Sequence, residues 1–290
     1  MRESGDLNSY KIESDKLDLK IAIVDIASIH MHEETIPEAV QRLAEDLVRD
    51  KVLRHPIIVD EETLVVLDGM HRAAALQMTG CVRIPVCLVD YDNPSIKVET
   101  WYRTFTKQNA EKLLNELPLS NVRVEEMDIK NARDRLENRS AAALIATNER
   151  CFIAKSVGDL RQDYRVVTDI ERVARSLSYE IGYDTESDAL NKLREKEATA
   201  VLCPPPIRKK DVREFGVRDE LLPHKATRHI IPARPLGIDV PIEFLRDRHM
   251  DLSEVNRQLM EKLRTRRLLR LDPGSLIENR RYEEQVFLFK

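Results

Sequence analysis

Short apolar runs alternate along this chain with segments whose apolar positions recur every three to four residues. That mixture predicts strands and helices in alternation. Residues 64–67, Leu-Val-Val-Leu, predict a buried strand. Gly69 then offers backbone angles that other residues resist, and 73–77 are strong helix formers with Gly80 as a stop. Upstream, 21–26 predict a strand and 27–36 a loop with His30, His32, Glu33 and Glu34. Pro37 opens a helix carried by Val40, Leu43 and Leu47 to about residue 52. A strand at 55–59 and a turn at Asp60-Glu61-Glu62 lead into 64–67.

Beyond the Gly69 turn, strands are expected at 80–90 and 96–101, and helices at 107–117 and 129–139. A hairpin joins 141–146 to 151–155, followed by a helix at 159–176 and a strand at 177–183. A helix at 184–196 takes Asp184 as N-cap; a strand at 198–203 stops at three prolines; a short helix at 209–215 takes Gly216 as C-cap. The pattern at 252–271 predicts one long helix through Val255, Leu259, Leu263 and Leu268. Its Arg and Lys residues read first as a solvated face of a docking helix, and second as a nucleic-acid or partner surface. The apolar run 286–289 reads as a terminal strand or as a contact in a homodimer.

Asp68, His71 and Arg72 sit where a strand hands over to a helix N-terminus. Unpaired N–H groups and the positive dipole end favour an anion there, and Arg and His add donors. A plain turn capped by Asp68 has about equal weight on these residues alone. Residues 225–229, Lys-Ala-Thr-Arg-His, are a good anion-binding composition, although such runs are commonly solvated turns. Glu33 and Glu34 by themselves merely precede a helix, where acids suit the dipole. Trp101, the single tryptophan, reads by itself as a packing residue.

Composition narrows the classes. The 290 residues, 42% hydrophobic, suffice for two domains, and a net charge of -4 argues against a generally nucleic-acid-seeking surface. No stretch of apolar residues is long enough to span a membrane, and residues 1–6 are polar and acidic, unlike a signal peptide. Cys81, Cys87, Cys151 and Cys203 lack metal-binding spacing and read as free thiols. A cytoplasmic protein is the expectation.

Asp68-Gly69-Met70-His71-Arg72 before an Ala-rich helix resembles the core motif of the ParB/sulfiredoxin superfamily. With Gly80, Pro85, Asp90-Tyr91 and Thr100-Trp101-Tyr102, and again at 225–229 and 238–240, the chain resembles the archaeal-type free L-serine kinases over roughly 21–245. The resemblance implies an N-terminal ParB/sulfiredoxin-like domain, drawn here as 1–104. A second mixed α/β domain over 105–248 would complete a substrate site in the cleft between them, and 249–290 would be a helical extension. The fold class is thus α/β with α+β character.

It also implies transfer of a phosphoryl group from ADP or ATP, with Mg2+, to free L-serine. The product, O-phospho-L-serine, suits a cysteine-forming pathway. By position Glu33 becomes the catalytic base, and Asp68 orients the serine amine, assists Glu33 or helps hold Mg2+. Gly69, Met70, His71 and Arg72 would take the nucleotide phosphates. Trp101, Lys225, Thr227, Arg228 and His229 would hold the substrate; the metal ligands stay open. Two departures stand out: Met70 replaces the family's first motif His, and Ala226 replaces a Thr. Met70 also excludes sulfiredoxin chemistry, which needs a cysteine at that position. The alternatives are a ParB-like nucleotide-dependent DNA-binding regulator, disfavoured by the charge balance, and a kinase for another small hydroxylated amino acid.

Overall fold

The computed structural model describes residues 8–290. Of the polar N-terminal stretch, 1–7 lie outside the described residues, and Tyr10–Ile12 is a strand. The chain forms two compact units that interleave along the sequence. Unit 1 takes the chain up to Lys97, then Lys209–Leu221 and His229–Lys290; unit 2 takes Val98–Arg208 and Leu222–Arg228. Residues 249–290, read above as a separate extension, are therefore part of unit 1.

Unit 1 is built on a five-stranded sheet in the order Tyr10–Ile12, Leu19–Asp25, Arg83–Val89, Ile57–Asp60, Val66–Asp68. Ile57–Asp60 and Arg83–Val89 pair in parallel, and the other pairs are antiparallel. Strands Ile57–Asp60 and Arg83–Val89 are buried along their whole length, apolar but for Asp60 and Arg83 at their ends. The strand expected at 64–67 starts later, at Val66. Leu64 takes a left-handed backbone (φ 55°) and donates its N–H to Asp60 O, closing the turn before the strand begins.

The helix expected at 252–271 ends at Thr265, and Leu268–Leu271 is a strand. It pairs antiparallel with Gln285–Phe289, which pairs in parallel with Ala233–Leu236. The run at 286–289 is thus a strand inside unit 1, and the helical spacing of Leu268 was coincidental. Helix Leu252–Thr265 buries Val255, Leu259 and Leu263. Its Asn256 binds the backbone of the Leu19–Asp25 strand, accepting from Ile23 N–H at 2.7 Å and donating to Ile23 O at 2.8 Å. Gly216 lies within helix Lys209–Val217 instead of capping it. A Cβ there would stand 2.6 Å from Val65 Cγ2, so packing against the sheet selects glycine.

Unit 2 is a six-stranded antiparallel sheet in the order Glu180–Asp184, Tyr102–Thr106, Ala200–Cys203, Ala141–Ala146, Cys151–Lys155, Val124–Glu126. Ala141–Ala146 and Cys151–Lys155 form the expected hairpin, and Asp159 caps helix Leu160–Ser176 by accepting from Gln162 N–H. Asp184 is not the cap of the next helix. Thr185 caps Glu186–Arg194, while Asp184 ends a strand and accepts from Thr104 Oγ1 and Lys192 Nζ, both at 2.7 Å. All four cysteines are free and buried.

Candidate active site

The motif of unit 1 is shaped by one glycine. Gly69 ends the Val66–Asp68 strand and caps helix Met70–Met78 with φ 103°. A Cβ at this position would stand 2.6 Å from Ile57 Cγ2 and 2.9 Å from Arg72 Nη2. Both the backbone angle and the space therefore demand glycine. The first N–H groups of this nine-residue helix have no partner within the helix, and no side chain caps them.

Arg72 faces inward from that helix. Its Nη1 donates to His55 O and Pro56 O, and its Nη2 donates to Asp68 Oδ2 at 3.0 Å. Arg72 thus fastens the helix to the neighbouring strand and orients Asp68. A second guanidinium, Arg234, donates to the same Asp68 oxygen at 2.9 Å and pairs with Glu284. Burial alone would raise the Asp68 carboxyl, but the charges of Arg72, Arg234 and Arg280 outweigh it and hold it below the ordinary carboxylate range. The Asp68 side chain keeps 37% of its surface exposed. Its Oδ1 has no hydrogen-bond partner among the described residues. Arg234 gave no local signal in the sequence; it comes from a strand far from the motif.

Glu33 lies in the loop before helix Pro37–Asp50 and is 7% exposed. His71, in the first turn of the motif helix, accepts the backbone N–H of Ile36 at its Nε2, 3.1 Å away. That bond ties the Glu33 loop to the motif and makes Nδ1 the protonated nitrogen of a neutral His71. His32 is fully buried, and burial pulls its pKa down to about 4 against a hydrogen bond to the Val66 backbone. Its ring meets His229 edge to face at 5.6 Å.

His229 binds Tyr91 Oη through Nε2 at 2.8 Å. Burial, with His32 beside it, pulls the His229 pKa to about 3, and burial raises the Tyr91 phenol. Tyr91 therefore donates to a neutral His229. Beside them, Arg213 donates to both oxygens of fully buried Asp60 at 2.8 and 3.2 Å and to Asp92 at 3.0 Å. Its guanidinium also stands over the Tyr91 ring at 5.5 Å.

Unit 2 holds the other predicted residues. Lys225 Nζ lies 4.9 Å and Arg228 Cζ 5.5 Å from the centre of the Trp101 ring. Two cations over one indole form a recognisable cationic platform. Arg228 is also paired with Glu99 at 2.8 Å. Lys225 adopts a left-handed backbone (φ 64°), and Thr227 is 8% exposed. Ala226 is fully buried. The structure thus assembles Glu33, Asp68, Gly69, Met70, His71, Arg72 and His229 in unit 1 and Trp101, Lys225, Thr227 and Arg228 in unit 2. Among the described residues no group of three or more His, Cys, Asp or Glu side chains is placed to hold a metal ion.

No family model matches the chain. An ATP-dependent L-serine kinase of Staphylothermus marinus is 28% identical over 231 residues, which covers 77% of this chain and 90% of the relative. The ADP-dependent L-serine kinase SerK of Thermococcus kodakarensis is 26% identical, covering 81% and 96%. A ParB-like protein of Sulfolobus acidocaldarius is 28% identical, covering 69% and 84%. Among solved structures, a mutant free serine kinase in complex with AMP superposes with a TM-score of 0.69 at 25% identity, covering 81% of this chain and 97% of that one. The resemblance read from the Asp68–Arg72 motif therefore extends over most of the chain and to its mixed α/β fold: this protein is a relative of the ATP- and ADP-dependent L-serine kinases, with ParB-like proteins among its kin.

Proposed function

We propose that the protein is a kinase that moves a phosphoryl group from ADP or ATP to the hydroxyl of free L-serine, giving O-phospho-L-serine. The observation that carries the reading is the joined pair of elements in unit 1. A glycine-started helix N-terminus presents N–H groups beside Asp68, and His71 holds the loop of Glu33 to that same helix. The similarity to L-serine kinases over most of the chain supports the acceptor and the donor.

The serine oxygen attacks the terminal phosphorus, its proton passes to the Glu33 carboxylate, and the bond to the leaving nucleotide breaks. AMP leaves if the donor is ADP, and ADP leaves if it is ATP. Phosphoryl transfer depends mostly on positioning and charge stabilisation. The N–H groups of Met70 and His71 serve the phosphate chain. Arg72 and Arg234 act at one remove, fixing Asp68. Met70 gives no polar side-chain contact where the family has a His. Within unit 2, Lys225 and Arg228 over the Trp101 ring form a cationic group suited to a carboxylate or a phosphate. The site fits Mg2+ in the manner usual for nucleotides, through a carboxylate plus phosphates, and Asp68 Oδ1 is the oxygen open to it. Bound with the nucleotide, Mg2+ would neutralise phosphate charge.

The test is purified protein with Mg2+, L-serine and either ADP or ATP, scored for phosphoserine by mass spectrometry. Product with one donor supports the reading and names the donor; no product with either, on protein that binds nucleotide, overturns it for serine. A panel of hydroxylated amino acids then tests a neighbouring acceptor. Glu33→Gln is expected to lose at least a hundredfold in turnover while still binding nucleotide. Near-normal turnover in that variant removes Glu33 as the base. The ParB-like relative motivates one rival reading. Duplex DNA binding that falls steeply with salt, without kinase activity, would favour it.

A further inference from the structure

The segment beyond residue 245, where the sequence resemblance to the kinases ends, carries a tight hairpin. Leu276–Ile277 pairs with Arg280–Arg281 across a turn in which Glu278 and Asn279 both take left-handed angles (φ 47° and 65°). Two successive left-handed residues are the geometry of the narrowest hairpin turn. The hairpin is anchored at its base. Gly274 N–H donates to Tyr282 O, Tyr282 N–H donates to Ser275 O, and the buried Tyr282 packs with Leu236, Val286 and Ile277.

Tyr282 links the hairpin to the motif. Arg280 Cζ lies 4.7 Å and Arg234 Cζ 5.9 Å from the centre of its ring. Arg234 in turn binds Asp68 at 2.9 Å. Arg234 has carboxylates on both sides, Asp68 and Glu284. Arg280 is exposed and has no carboxylate partner among the described residues. Arg280 and Arg234 share the Tyr282 ring, and Arg234 binds Asp68, so a single aromatic side chain connects Arg280 to the residues of the motif. A guanidinium held on an aromatic ring is pre-organised, and one lacking a carboxylate partner is suited to an anion.

We propose that Arg280 is a further binding residue for the phosphate chain of the nucleotide, delivered to the motif by the C-terminal hairpin. The inference rests on the nucleotide-dependent reading above. The hairpin then belongs to the donor site, and the extension has a use that the motif alone does not reveal.

The test is calorimetric titration of the intact protein and two variants, Arg280→Ala and Arg281→Ala, with ADP and with ATP at two salt concentrations. Arg281 is the adjacent exposed cation of the same hairpin and controls for general charge. Arg280→Ala is expected to weaken nucleotide binding about tenfold, as loss of one charge-assisted phosphate contact does, and to reduce its salt dependence. Arg281→Ala should stay within about twofold of the native protein, because of the two hairpin arginines it is Arg280 that sits on the Tyr282 ring. Equal nucleotide affinity in native protein and Arg280→Ala, with unchanged melting, overturns the proposal and leaves the kinase reading intact. Equal losses in both variants overturn it as well, since the effect is then unspecific charge. Absence of nucleotide binding by the native protein defeats the kinase reading itself, and this inference with it.

Discussion

The paired buried imidazoles of unit 1 predict a specific acid sensitivity. His32 is fully buried with its pKa pulled to about 4 by desolvation, and His229 is pulled to about 3. Both lie well below 6.5, the ordinary value for histidine. Between the folded and unfolded values the unfolded chain binds more protons, so stability rises with pH. The contribution is fully present above about pH 6.5 and is lost as pH falls toward the folded values. For His32, moving from pH 7 to pH 5 costs about 2 kcal/mol at 1.36 kcal/mol per pKa unit. His229 adds a loss in the same direction. Tyr91, Lys209 and Asp68, the other groups acting on His229, do not protonate in this interval to offset it: the phenol is raised, and the carboxyl titrates below it.

A total of about 3–4 kcal/mol is a large share of the usual 5–15 kcal/mol of a domain. Urea unfolding followed by circular dichroism at pH 7 and pH 5, at constant ionic strength, measures it. Hydrogen exchange in strand Arg83–Val89 assigns the transition to unit 1. His32→Gln should unfold with a shallower pH dependence than the native chain. An unfolding free energy that is the same within about 0.5 kcal/mol at the two pH values would refute the reasoning, because it requires the imidazoles to charge freely in the folded state.

Two substitutions test the frame of the site. Gly69→Ala should destabilise the protein by about 2–4 kcal/mol in urea unfolding, combining the left-handed backbone cost with overpacking against Ile57 and Arg72. A cost below about 0.5 kcal/mol would mean the turn relaxes freely. Asn256→Ala should cost about 2–3 kcal/mol, because it strands the buried N–H and C=O of Ile23 that Asn256 now satisfies. An unchanged urea midpoint would show that this helix does not hold the strand.

Local order was legible wherever neighbouring residues decide the energy. Gly69 before an Ala-rich run indicated a strand–turn–helix, and the structure has it, with the strand displaced because Leu64 closes the preceding turn. The hairpin of Ala141–Ala146 and Cys151–Lys155 and the cap at Asp159 were equally local. The long helix expected at 252–271 failed at its end because Leu268 gains more by pairing with Phe289 than by completing a helical stripe. Asp184 and Gly216 were read as caps by type, but cross-strand hydrogen bonding and packing against Val65 set their roles.

The sequence by itself determined the motif, its glycine and the residue types that bear chemistry, because turn geometry and helix-end electrostatics act over a few positions. Tertiary structure decided which partners those groups take and in what charge state they stand. Arg72 turns inward to Asp68, Arg234 joins it from 166 residues away, and His229 is neutral because other residues exclude water from it. A side chain's charge state and direction depend on dielectric and on partners distant in the chain, and periodicity carries no record of either.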